Sequence, residues 1–432
     1  MKTNTKPPVL KTHEGGTAKH INAEQELRRS VMACLLWEDG FYESGEEIGK
    51  RIAALCHSVA LGTLSALAIE ARTQMNLRHA PLLLVREMAR HPKLKNNPGL
   101  VSKTLEGVIQ RADELTEFLS IYWRDGRVPL SAQIKKGLAL AFQKFNEYEL
   151  AKYNRDNAVK LRDVLFLSHS KPQTAEQEDL YKRLIDGNLA TPDTWEVALS
   201  GGADKKEVWE RLLSEKKLGA LAFLRNLRNM DESKVSDEAI KTYAETLKTD
   251  RVLPFRFIAA ARAVPRFEPM LEYLMLKQEH EKLSGETVLL VDVSGSMSEE
   301  LSAKSDMRRI DAAAGLAILL REMTDNLRVY TFNDSIMEIP PRRGFALRDS
   351  IGNPSGSTRL GAAVNWVFSH HPTARLIVIS DEQSEDRTPD PTNGKSYMLN
   401  VSTNKNGVGY GAWKHVDGFS ESVVNWIKEV ER

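Results

Sequence analysis

Hydrophobic positions in the first two-thirds of the chain recur at helical spacing. Ile48, Ile52 and Leu55 make one stripe, and Ile134, Leu138, Phe142 and Phe145 make another. Thr174-Ala175-Glu176-Gln177 reads as a capping box that opens a helix carrying Leu180 and Leu184, with Gly187 as its stop. Thr191-Pro192 predicts a cap followed by proline at the first helical position, and Gly201-Gly202 the end of that helix. Helix follows helix from about residue 20 to 275, interrupted by Gly, Pro and Asn and without a strict sequence repeat. This predicts stacked helix pairs in an irregular α-solenoid.

The pattern changes after the polar stretch Lys277–Glu286. Val288–Val291 reads as a strand, Ile310–Met323 as a helix, Leu327–Phe332 as a strand and Leu360–Phe368 as a helix. Leu376–Ser380 and Tyr397–Val401 follow as strands, and Glu421–Glu431 as a closing helix. Alternating strands and helices predict a mostly parallel α/β sheet, doubly wound with helices on both faces. The expected division is therefore 12–276 helical and 285–432 α/β.

Composition narrows the classes. A length of 432 residues favours two domains, and 41% hydrophobic with 28% charged residues is ordinary for a folded chain. No run approaches the roughly 20 apolar residues of a membrane helix, and the N-terminus lacks the apolar core of a signal peptide. Only Cys34 and Cys56 occur, both in apolar helical contexts, so no disulfide framework is expected and a reducing cytoplasm is the default. A net charge of +1 excludes a bulk basic protein; nucleic acid would have to bind through local patches.

Three apolar runs or loops end in oxygen-bearing side chains. Asp292-Val293-Ser294-Gly295-Ser296 leaves the first strand, Gly356-Ser357-Thr358 lies between elements, and Ile379-Ser380-Asp381 ends another strand. Asp292, Ser294, Ser296, Thr358 and Asp381 give two carboxylates and three hydroxyls, a hard-oxygen set suited to Mg²⁺ or Mn²⁺. In doubly wound sheets ligands sit off the carboxyl ends of strands, where Asp292 and Asp381 fall. Asp292 has a second reading as a phosphatase-like nucleophile. That chemistry wants a second carboxylate two residues on, and Ser294 stands there. With no activated nucleophile or general base beside it, the set favours holding a ligand over hydrolysis, so the chain is not expected to be an enzyme.

Asp-x-Ser-x-Ser with a distant Thr and Asp resembles the metal-ion-dependent adhesion site of von Willebrand factor A domains, over about 285–432. The resemblance implies that a partner carboxylate completes the metal shell. Arg359 departs from the acidic residue expected after the Thr, and is expected to compete with the metal or to pair with Asp292 or Asp381.

A second resemblance covers about 12–262. Lys152-Tyr153-Asn154-Arg155 with Leu161–Pro172, and Glu14-Gly15-Gly16-Thr17, Arg78–Leu82, Tyr122–Arg127, Leu218–Leu227 and Leu253–Arg256, are similar to the TROVE family of Ro-type RNA-binding proteins. The resemblance implies a HEAT-like helical solenoid closing into a monomeric ring with the A domain. It implies single-stranded 3′ ends of structured or misfolded RNA in the hole and a small noncoding Y-like RNA outside. An exoribonuclease reached through the RNA is implied as a partner. By position, Lys152 and His169 match the Y-RNA-contacting surface, while Asp156 replaces a basic residue of relatives.

Charge supports such a surface. Ser131–Pro172 holds eight Lys/Arg, namely Lys135, Lys136, Lys144, Lys152, Arg155, Lys160, Arg162 and Lys171, against Glu147, Glu149, Asp156 and Asp163. Basic side chains neutralise phosphates, and Tyr153 beside Arg155 would offer a base-stacking face. A solvated helix surface is the plainer alternative, and for His169 so is a helix-capping role. Arg124, Arg127 and Arg78 are candidates for the ring's inner surface; Trp123 and Trp37 read as core. Cys56-His57 is no catalytic pair, because neighbours on a helix do not face each other. The alternative function is a metal-dependent protein-interaction module in which the A domain captures a partner carboxylate.

Overall fold

A computed structural model of the chain describes residues 9–32, 44–200, 204–249, 252, 254–277, 281–301, 306–418, 423, 427, 430 and 431. Cys34, Trp37, Gly201-Gly202 and Leu253 lie outside the described residues, as does most of the closing helix expected over Glu421–Glu431. The chain forms two compact units, one of residues 23–37 and 45–203, the other of residues 1–22, 38–44 and 204–432.

The first unit holds α1 (Ala23–Met32), α2 (Gly45–Cys56), α3 (Leu61–Thr73), α4 (His79–Arg90), α5 (Leu100–Val108) and α6 (Asp113–Tyr122). It continues with α7 (Ala132–Phe142), α8 (Glu147–Tyr153), α9 (Leu161–Ser168), α10 (Ala175–Asp186) and α11 (Trp195–Ser200). Alternate helices stack: α1, α3, α5, α7 and α9 form one row, and α2, α4 and α6 the other. This is the two-layer packing of a helical solenoid. Side-chain caps open some of these helices. Ser131 Oγ accepts from Ile134 N–H at 3.3 Å, and α7 then buries Ile134, Leu138 and Phe142. Gly137 of α7 lies where a Cβ would stand 2.9 Å from Ser102 O and Leu105 Cβ of α5, so the close approach of these two helices requires glycine.

No sequence repeat marks the solenoid, yet its polar contacts repeat. Arg72 reaches Glu114 at 2.8 Å, Arg28 pairs with Glu70, Arg86 with Asp125 and Arg183 with Glu147. Each bond spans 36–42 residues, one structural repeat. The Thr174 cap and the Gly187 stop are present, with Gly187 in the left-handed region. The Thr191-Pro192 start is not: Thr194 caps instead, its Oγ1 accepting from Val197 N–H at 3.2 Å. Both threonines can cap, and the helix begins only at Trp195.

The second unit opens with α12 (Lys205–Ser214), α13 (Ala220–Glu232), α14 (Asp237–Glu245), α15 (Pro254–Ala263) and α16 (Glu268–Leu276), again stacked alternately. Then come β1 (Leu283–Asp292), α17 (Arg309–Glu322), β2 (Thr324–Phe332), β3 (Ile336–Ile339), α18 (Gly344–Ile351), α19 (Leu360–His370), β4 (Arg375–Ser380), β5 (Ser396–Asn400) and β6 (Lys414–Asp417). The strand order is β3-β2-β1-β4-β5-β6, parallel except for the edge strand β3. Val288 and Leu290 pack with α19 residues Leu360, Val364 and Val367, and α17 also packs on β1 and β2. This is a doubly wound α/β sheet. Leu283–Glu286, expected in the boundary stretch, belongs to β1 across a register shift. Strand order reverses between β1 and β4, so the switch point lies where Asp292 and Asp381 leave the sheet. Among the described residues no helix is long and apolar enough to cross a membrane.

Candidate functional site

Asp292 ends β1 and Ser380 ends β4, its parallel neighbour. Asp292 Oδ1 accepts from Ser294 N–H at 2.8 Å, and Oδ2 accepts from Ser380 Oγ at 2.6 Å. Ser294 and Ser296 hydroxyls lie 3.4 Å apart, and Asp381 Oδ1 accepts from Gln383 N–H at 3.1 Å. Thr358 arrives on a loop stitched to both others. Ser355 N–H donates to Val293 O at 2.7 Å and Gly295 N–H to Gly356 O at 3.1 Å, while Thr358 O accepts from Glu385 N–H at 2.9 Å. Asp334, just beyond β2, holds this loop through Ser357 N–H and Oγ. The structure thus gathers the three segments that carry the five expected residues, all of them buried.

Burial, with Asp381 as the next cause, pushes the Asp292 carboxyl up to about 7. Two carboxylates crowded away from water favour a proton or a cation. The donors are hard oxygens throughout, which fits a small divalent ion. Among the described residues no group of three or more His, Cys, Asp or Glu is arranged for a metal; this set has two carboxylates, the rest being hydroxyls.

Arg359 does not behave as expected. Its Nε donates to Glu385 Oε1 at 2.8 Å and its side chain is 59% exposed, so it meets neither Asp292 nor Asp381. The cation at the site is Arg309, the first residue of α17, 3.6 Å from Asp381 Oδ2 and 6% exposed. Sequence reading missed it, because its carboxylate partner lies in a distant loop.

Two further features support the loop after β4. A hairpin at residues 11–17 docks there: Thr12 Oγ1 donates to Ser384 O at 2.6 Å, and His13 N–H donates to Gln383 Oε1 at 2.9 Å. A Cβ on Gly16 would overlap Ser384 O and Asp386 O. Glu382, in the left-handed region at φ 61°, pairs with His415 at 2.5 Å, and His415 Nδ1 lies 3.4 Å from Asp417. Asp417 and Glu382 together outweigh burial and push the His415 imidazole up to about 9.

On the first unit the acids of Ser131–Pro172 are committed to internal bonds. Glu147 accepts from Arg183 and from Ala190 N–H, and Glu149 from Asn146 N–H at 2.9 Å. Asp156 pairs with Lys160, and Asp163 accepts from Lys160 N–H at 2.9 Å. Of the cations, Lys144 turns inward to Glu106 O and Lys160 is paired. Arg162 reaches only Asp163, at 4.0 Å. Among the described residues Lys135, Lys136, Lys152, Arg155 and Lys171 have no acidic partner within ion-pair reach.

His169 sits at φ 54° as the C-cap of α9 with an exposed side chain, so its backbone caps while its ring faces water. Tyr153 is not an open stacking face, since Arg111 covers its ring at 4.9 Å and Lys152 lies 5.7 Å away. Among the described residues of this unit, the exposed aromatics are Phe166 (56%) and Tyr148 (50%), neither of which the sequence reading singled out. Phe166 is the exposed apolar residue of α9, off the buried stripe of Leu161, Val164 and Leu165 and one turn from Arg162 and from His169. Arg124 is exposed with Glu46 nearby, and Arg127 is exposed with its guanidinium 4.9 Å from the Trp123 ring. Arg78 is taken up by Asp113 and Glu117. Trp123 packs against the core, its indole N–H donating to Val128 O at 2.8 Å. His57 turns to Glu87 at 3.3 Å, while burial pushes the Cys56 thiol up, away from nucleophilic use.

A sequence model of the TROVE domain matches residues 182–313. Over that stretch the chain is similar to the TROVE domain. The TROVE match includes Leu218–Leu227 and Pro254–Arg256, whereas Lys152–Pro172 precedes it. Telomerase protein component 1 from Mus musculus and from Rattus norvegicus are each 34% identical over 89 residues, 19% of this chain. The chain spans about 3% of the length of these curated relatives. The crystal structure of the Deinococcus radiodurans RO (RSR) protein is similar with a TM-score of 0.60 and 17% identity, over 95% of this chain and 99% of that one. The chain therefore shares the fold of that protein, which here consists of helices followed by a six-stranded α/β sheet.

Proposed function

We propose that this chain is a Ro-like RNA-binding protein, a scaffold or chaperone in RNA quality control with no catalytic step of its own. The observation that carries the reading is the imbalance on the first unit. Its local acids are consumed by helix caps and ion pairs, while Lys135, Lys136, Lys152, Arg155 and Lys171 keep their charge for an outside anion. His169 and Phe166 add a ring edge and a stacking face beside them. A small Y-like RNA is the proposed occupant of this surface. Single-stranded 3′ ends of structured or misfolded RNA are proposed for the opening of a Ro-type helical ring, with Arg124 and Arg127 as candidate contacts. An exoribonuclease partner acting through the RNA, and a cytoplasmic location, belong to the same proposal.

The metal site is proposed to hold Mg²⁺ or Mn²⁺ through Asp292, Ser294, Ser296, Thr358 and Asp381. Bound there, the ion would supply a coordination position for a partner's oxygen and brace the three loops.

Filter binding with structured RNA bearing a single-stranded 3′ tail tests the reading. Five phosphate contacts predict a log K against log salt slope of about −3.5 on single strands. Retention that falls steeply with salt and survives EDTA supports it. Protein capture abolished by EDTA, with no RNA retained, would instead make the chain a metal-dependent protein-interaction module.

A further inference from the structure

We propose that Arg309 is a built-in competitor for the cation at the Asp292–Asp381 site, and that its charge sets how tightly a divalent ion is held there. The inference rests on the metal reading above. Arg309 is held in place from its backbone outward: its N–H donates to Glu299 O at 2.8 Å where α17 begins. The side chain runs inward, donating to Ser296 O at 3.4 Å and standing 3.6 Å from Asp381 Oδ2. It touches two of the three segments that supply the oxygen set.

Asp311, two residues on, is not available to draw Arg309 away. It is occupied by Arg262 at 2.6 Å and by Arg308 N–H at 2.8 Å. Arg359, the cation that the motif position suggests, is bound to Glu385 instead. The competing charge has thus moved from the exposed loop to the buried start of a helix.

Arginine keeps its charge at any physiological pH, so an arriving ion cannot expel it by deprotonation. The ion must push the guanidinium off Asp381 or accept a positive neighbour within a few ångströms. In a buried setting both lower the affinity. Without an ion, the same guanidinium offsets one of the two crowded carboxylates.

Calorimetric titration of the full chain with MnCl₂ and MgCl₂ tests this, using the parent, Arg309→Gln, Arg309→Met, Arg309→Lys and Asp292→Ala. Arg309→Gln and Arg309→Met are expected to bind at least about ten-fold tighter than the parent, and Arg309→Lys within about two-fold of it. The thermal shift on adding Mn²⁺ should grow in the same order, which a simple loss of packing would not produce. Circular dichroism checks each fold; Met is offered beside Gln because an apolar chain suits a buried site should the amide fail there. Equal affinity in the parent and the neutral variants, with binding lost in Asp292→Ala, overturns the role of Arg309 and leaves the metal reading standing. Weaker binding in the neutral variants, or equal tightening in Arg309→Lys, also overturns it. Absence of binding in the parent and in every Arg309 variant overturns both.

Discussion

The helical unit of residues 23–200 and the sheet of residues 283–417 treat charge in opposite ways. In the helices, acids are used up inside the fold, bonding from one repeat to the next, and lysines are left facing water. In the sheet, Asp292, Asp381, Glu382 and Asp417 crowd the carboxyl ends of the strands at 0–2% exposure, with Arg309 and His415 as cations set against them. Outward cations spaced along a surface suit a long polyanion, and the attraction is screened by salt. Buried acids drawn together suit one small cation and are screened far less. The contrast predicts two binding activities that respond to different perturbations.

The sharpest break should come from Asp292→Ala. Calorimetry is expected to show divalent ion binding abolished while RNA retention stays within about two-fold; a large loss of RNA would mean that the two regions are not independent. Next is His415→Gln, which strands Glu382 and Asp417 without their cation and should cost about 3–5 kcal/mol in denaturant unfolding. The folded imidazole titrates near 9, above the ordinary value of 6.5. Its stabilising contribution is therefore complete below pH 6.5 and lost as pH rises through 9, by up to about 3 kcal/mol. The parent melting temperature should fall across that window more than that of the variant, and parallel curves would refute the assignment.

On the helical side, changing Lys135, Lys136, Lys152 and Lys171 together to Gln should flatten the salt slope of RNA binding by about 2.8 and leave metal affinity alone. An unchanged slope removes the surface from the RNA reading. The smallest effect is expected from Phe166→Ala, about 1–3 kcal/mol of RNA affinity with stability within about 0.5 kcal/mol. For His169, Asn is a cleaner replacement than Gly, because it tolerates the left-handed region much as His does, whereas Gly would remove a backbone cost and blur the binding result.

The layered helices, the parallel sheet and the segments around Asp292 and Asp381 were legible, because apolar periodicity and oxygen-bearing strand ends are local signals. The short edge strands were not. Ile336–Ile339 and Lys414–Asp417 are only four residues each, too short to show a period. The start of α11 was misplaced because Thr191 and Thr194 carry the same capping chemistry, and only packing chooses between them. Arg309 was invisible for a different reason: a buried ion pair between residues 309 and 381 leaves no trace in either neighbourhood. The solenoid repeat hid likewise, since it survives in which positions bond and not in which residues occupy them.

The docked hairpin at residues 11–17 has a consequence in time. Thr12 meets Ser384 across 372 residues of chain, so during synthesis at about 5–20 residues per second it waits roughly 20–70 s for its partner to emerge. The hairpin cannot settle until the loop that carries Ser384 has emerged, and a ribosome-bound chain stopped before that loop should leave it open to protease attack.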